Sequence, residues 1–82
     1  MLIFKDLNGV TLAAVDHTSR TVWSLKPVNE LLQIAANTYR GAKGNEKYNA
    51  SIVVEAVRKY HYREHYVQQL PQEVLPPEYY IG

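Results

Sequence analysis

Three stretches of the chain carry residue types whose spacing could do chemistry. His61-Tyr62-Arg63-Glu64-His65 sets two imidazoles four residues apart, with a carboxylate next to the second. On a helix both rings would share a face and could hold one divalent metal, with Glu64 as base for its bound water. Gly41-Ala42-Lys43-Gly44 sets a lysine between two glycines. Such a loop lets backbone N–H groups approach a phosphate while the lysine adds charge, and Arg40 and Lys47 extend the same footprint. The third stretch is aromatic and basic. A helix through residues 58–66 would place Tyr62 and Tyr66 one turn apart on a face shared with Arg58, Lys59 and Arg63. Tyrosine and arginine together suit a protein interface, because each offers a large contact area with a polar end. The same groups can stack unpaired bases.

The elements that must position these residues read as strands, then helices. "LIFKDL" and "VTLAAV" are short apolar runs separated by Asn8-Gly9, the dipeptide suited to a type I′ hairpin. The second run offers apolar residues to both faces, as a central strand does. "RTVWSLK" supplies a third strand with Thr21, Trp23 and Leu25 on one side. Pro27 or Asn29 opens a helix over 28–40, whose Val28, Leu31, Leu32, Ala35 and Tyr39 recur at helical spacing before Gly41. Asn49 or Ser51 caps a second helix, in which Val53, Val57, Tyr60, Val67 and Leu70 continue one stripe until Pro71. The expected fold is α+β, an N-terminal three-stranded antiparallel meander followed by two helices in a single domain over residues 1–70. Residues 71–82 hold three of the four prolines and read as an extended Pro/Tyr-rich arm.

Composition sets the outer bounds. A chain of 82 residues is one domain, and 46% hydrophobic with 21% charged residues is the balance of a chain that folds. No cysteine is present, so no disulfide scaffold or thiolate metal site supplements a thin core. The chain has no run of 18 apolar residues, so no membrane association is expected, and the cytoplasm is the expected compartment. The net charge of +1 hides a polarity. Residues 40–63 carry six cations against Glu46 and Glu55, whereas Glu64 onward has three glutamates and no Lys or Arg. Ser19, Ser24 and Ser51 lack a nucleophile elbow, and Asp6 and Asp16 occupy turn positions, so no catalytic residues are expected.

Three family resemblances attach to short motifs. His61-Tyr62-Arg63-Glu64-His65 resembles the H-x-x-E-H motif of inverted zinc peptidases. It covers five residues, and the family's third ligand lies far beyond an 82-residue chain. Glu73, Glu78 or His17 would have to replace that ligand, so neither the activity nor a metal or cofactor is carried over. Gly41-Ala42-Lys43-Gly44 is similar to the G-x-x-G loop by which KH domains clamp a nucleic-acid backbone, although here all strands are expected to precede both helices. Pro76-Pro77-Glu78-Tyr79 resembles the P-P-x-Y peptides read by WW domains.

The expected function is a non-enzymatic protein-binding module, an adaptor or inhibitor of a larger host or viral protein in the manner of a viral accessory protein. It would act through Arg58, Tyr62, Arg63, Tyr66, Tyr79 and Tyr80. The arm, with Val74, Leu75 and Ile81, would dock on its own sheet, on a partner, or on a second copy to form a homodimer. The alternative is single-stranded nucleic-acid (RNA) binding through Lys43, Lys47, Lys59 and Tyr62.

Overall fold

The computed structural model describes residues 2–70; the C-terminal arm, with Tyr79, Tyr80 and the PPEY motif, lies outside the described residues. The elements run β1 (Leu2–Lys5), β2 (Thr11–Asp16), β3 (Thr21–Ser24), α1 (Val28–Gly41), α2 (Asn45–Arg58) and β4 (Arg63–Tyr66). The architecture is α+β. The three N-terminal strands form the expected antiparallel meander, and β4 adds at the far side, parallel to β3, giving the order β1-β2-β3-β4.

Asn8-Gly9 does turn the chain between β1 and β2, but by different chemistry from a type I′ turn. Only Gly9, at φ 80°, is left-handed there. The Asp6 carboxylate accepts from the N–H groups of Asn8 and Val10, both at 2.9 Å, and so organises the bend. A register shift follows between Phe4 and Lys5. β2 buries Leu12, Ala13, Ala14 and Val15 in succession, as a strand covered on both faces must.

On one side of the sheet Phe4, Ala13, Val15 and Val22 meet Leu31 and Ala35 of α1 and Ala50, Val53 and Ala56 of α2. The alanines let the helices approach closely, which suits a core this small. On the other side Ala14 and Leu70 are buried with Ile3, Trp23, Leu25 and Val67 packed around them.

α1 matches its predicted span. Gly41 is its last residue rather than its stop, and a Cβ there would lie 3.1 Å from Leu7 Cδ1, so glycine permits the helix end to touch the β1–β2 turn.

The second helix departs from expectation at both ends. It starts at Asn45 after Gly44, and it stops at Arg58 instead of running to Leu70. Lys59 and Tyr60 both donate to the carbonyl of Glu55, Tyr62 N–H reaches back to Ala56, and His61 takes a left-handed φ of 55°. That widened turn redirects the chain. Residues 63–66 then gain ladder bonds from β3, which a helix there could not reach.

Candidate partner-binding edge

The end of α2 decides the fate of the predicted site residues. Tyr62 is not on an outward helix face but is only 9% exposed, within the core. Its hydroxyl is 2.8 Å from His17 Nδ1, its ring meets the His17 ring edge-on at 5.6 Å, and the Arg20 guanidinium lies 5.2 Å from its centroid. Arg20 also donates to the carbonyl of Tyr60 at 3.0 Å. Tyr62 therefore ties the β2–β3 turn to the chain leaving α2 and offers little surface to a partner.

Arg58 stays exposed as the last residue of α2, while Arg63 and Tyr66 are exposed on β4. The residues of the nucleic-acid reading are separated as well. Lys43 is in the loop before α2 and Lys47 in its first turn, with Nζ 4.7 Å from the Tyr39 ring. Lys59 follows the opposite end of the helix, with Nζ 5.6 Å from the Tyr60 ring. At 1.5 Å per residue, α2 holds the two groups about 20 Å apart.

The histidine pair does not share a helix face. His61 occupies the left-handed turn, whereas His65 is on β4 and stacks on Trp23 at 6.2 Å between centroids. Glu64 points to the opposite side of the sheet from His65 by strand alternation. Among the described residues no group of three His, Cys, Asp or Glu side chains could hold a metal ion. Glu73 and Glu78 lie outside the described residues.

What the described residues do assemble is a sheet edge at β4 that none of them covers. Arg63 N–H donates to the Arg20 carbonyl at 2.9 Å, and Val67 N–H to the Ser24 carbonyl at 2.8 Å. In a parallel ladder the alternate residues face the neighbouring strand, so residues 63, 65 and 67 face β3. The N–H and C=O groups of Glu64 and Tyr66 point away from the sheet, and all four β4 side chains are exposed. Beside this edge a groove of about 240 Å³ separates β4 from the start of α1. Val22, Val28 and Leu31 supply its apolar wall, with Lys26, Glu64 and Tyr66 around it. Tyr66 is 67% exposed.

Val28, Leu31 and Lys26 were not foreseen as site residues. The available signal was the β-favouring run Tyr62 to Val67, in which Tyr and Val punctuate charged residues.

No family model matches the chain, and no curated protein or solved structure matches it.

Proposed function

We propose that the chain is a non-enzymatic protein-binding module whose β4 edge accepts an extended segment of a partner as a further strand. The observation that carries this reading is the outward-facing backbone of Glu64 and Tyr66 beside an apolar groove. Main-chain hydrogen bonds along such an edge supply affinity, and pockets for alternate side chains supply selectivity. Arg63 and His65 project on one side of the added strand, Glu64 and Tyr66 on the other. The favoured partner segment has an apolar residue for the groove and charges matched to Arg63 and Glu64. A domain of this size, capturing a strand of a larger cytoplasmic protein, would serve as its adaptor or inhibitor.

The test is co-purification of the tagged full chain from a native lysate treated with nuclease, compared with Tyr66→Pro and Glu64→Pro. Proline at either position removes an outward N–H and leaves the bonds to β3 in place. A stoichiometric protein band that survives nuclease and is lost in both variants is expected. Retention by both proline variants would falsify the edge reading.

A second reading has one observation in its favour. Because β4 follows α2, the Gly41-Ala42-Lys43-Gly44 loop joins two helices flanked by neighbouring parallel strands, an order that the sequence did not anticipate. A strand thus follows the second helix, which supports single-stranded RNA as the competing ligand. Lys43 is exposed there, and Gly44 at φ 69° has open space around it. An affinity for oligonucleotides that falls steeply with salt and is lost in Lys43→Glu would support it; a flat salt response would remove it.

A further inference from the structure

The outer face of the helical layer carries a second surface, away from the β4 edge. Two depressions of about 290 and 300 Å³ run between α1 and α2 and share Ala36 and Val54. The first joins Leu32 of α1 to Arg58 of α2, and the second joins Tyr39 and Arg40 of α1 to Ser51 of α2. Early α1 thus faces late α2, and the two depressions form one cleft with Arg58 at one end and Arg40 at the other. Leu32 and Val54 are half-buried and continuous with the core beneath, so the floor is apolar.

The charged side chains that line the cleft are both cations, Arg58 and Arg40, with Glu55 of α2 one turn from Ser51 and Arg58. Among the described residues no acidic side chain lines either depression. Lys47, over the Tyr39 ring, adds a third cation at the Arg40 end. Arg40 is steadied by a hydrogen bond to Asn37, while Tyr39 is 45% exposed. A cation in the last turn of each helix answers its dipole, but that does not account for the apolar floor between the two arginines, which no described residue covers.

We infer that this cleft is a docking site for a short amphipathic helix of a partner protein, carrying carboxylates on either side of an apolar stripe. Carboxylates follow from the arginines, which bind them in a planar, bidentate way. A helix follows from the backbone. The walls of the cleft are themselves helices, whose main-chain groups are satisfied internally, so an extended peptide would find no ladder there and would leave its own N–H groups unpaired over an apolar floor. A helix satisfies its own. The length agrees: from Leu32 to Arg40 the cleft runs about 12 Å, enough for apolar side chains at i, i+3 and i+7 of a guest helix. Ala36 at the centre leaves room for a large guest side chain such as leucine.

The test uses two fluorescent helical peptides with the same i, i+3, i+7 leucine stripe, one flanked by glutamates and the other by lysines. Each is titrated against the full chain and against Arg40→Glu/Arg58→Glu. The glutamate peptide is expected to bind the native chain at least about tenfold more tightly than the lysine peptide, and the double variant should reverse that order. Circular dichroism verifies the fold of the variant, and Arg40→Gln/Arg58→Gln, expected to abolish the preference without reversing it, stands in if the charge reversal unfolds the chain. Absence of glutamate-peptide binding, equal binding of the two peptides, or a preference unchanged in the variants overturns the proposal. A solution mass that rises with concentration and reverts to monomer in Arg58→Glu would assign the cleft to a second copy, and would likewise overturn it.

Discussion

The two edges of the sheet have been treated differently. At β1 the ladder is interrupted by the register shift after Phe4, and α2 packs against the strand, with Asn49 Nδ2 donating to the outward carbonyl of Ile3 at 3.2 Å. At β4 no described element covers the edge, and every side chain of the strand is exposed. Unpaired edges invite indiscriminate pairing, and natural proteins usually cover, bend or charge them. The difference teaches that β1 is closed by covering and bending, while among the described residues β4 keeps its backbone available and is guarded by its shortness and by Arg63 and Glu64. Charges at an edge discourage unsuited strands without closing it to a complementary one.

The largest effect that separates the edges is expected in the core. Phe4 of β1 is fully buried, so Phe4→Ala should cost about 3–5 kcal/mol, a large part of the stability of a domain of this size. Tyr66→Ala on β4 should stay within about 0.5 kcal/mol in the same urea titration. Comparable losses at both positions would end the contrast.

A finer contrast lies within β4. His65→Pro removes an N–H that faces β3 and should destabilise the chain by about 1–3 kcal/mol, whereas Tyr66→Pro removes an outward N–H and should cost clearly less. Amide exchange reports the same alternation, with His65 and Val67 protected and Glu64 and Tyr66 fast. Equal protection would show that something covers the edge.

Asn49→Ala uncovers the Ile3 carbonyl and should cost about 1 kcal/mol, measured by thermal melting. The smallest effect belongs to the β2–β3 turn, which positions Arg20 beside Tyr62. Hydrogen bonding from Ser19, and from the Thr18 N–H, holds the Asp16 carboxyl below its ordinary pKa. A depressed carboxylate adds stability that is present above its unfolded pKa of about 3.9 and is lost as the pH falls through the folded value. Asp16→Asn should therefore lower stability slightly at neutral pH and flatten the acid limb of the stability–pH curve, the two chains converging as the pH falls through the folded value.

The meander and α1 were legible because their signals are local: apolar runs of strand length, Asn8-Gly9, Pro27, and a stripe at helical spacing. The end of α2 was not. Val53, Val57 and Tyr60 continue that helix's stripe, and no glycine or proline marks Arg58 as its last residue. The left-handed position that ends it is occupied by His61, a residue type that gives no warning. What decides the break is non-local, the free side of β3 and the pocket that receives Tyr62. The error carried into the site, turning Tyr62 outward and placing His61 and His65 on one face. Arg58, Arg63 and Tyr66 kept their exposure because ends of helices and edges of sheets are surface in either arrangement.

The crossover from β3 through both helices to β4 has a consequence for how the molecule assembles. Thr21 must find Arg63, whereas the first hairpin has only to bring Lys5 to Thr11. Closing the longer loop costs about 1.7 kcal/mol more in chain entropy, because that cost grows with the logarithm of loop length. β4 is therefore expected to join the sheet late in folding and to be the first strand to leave it. A guest strand added at this edge would act as a latch, and occupancy there would be registered as slower unfolding of the whole domain.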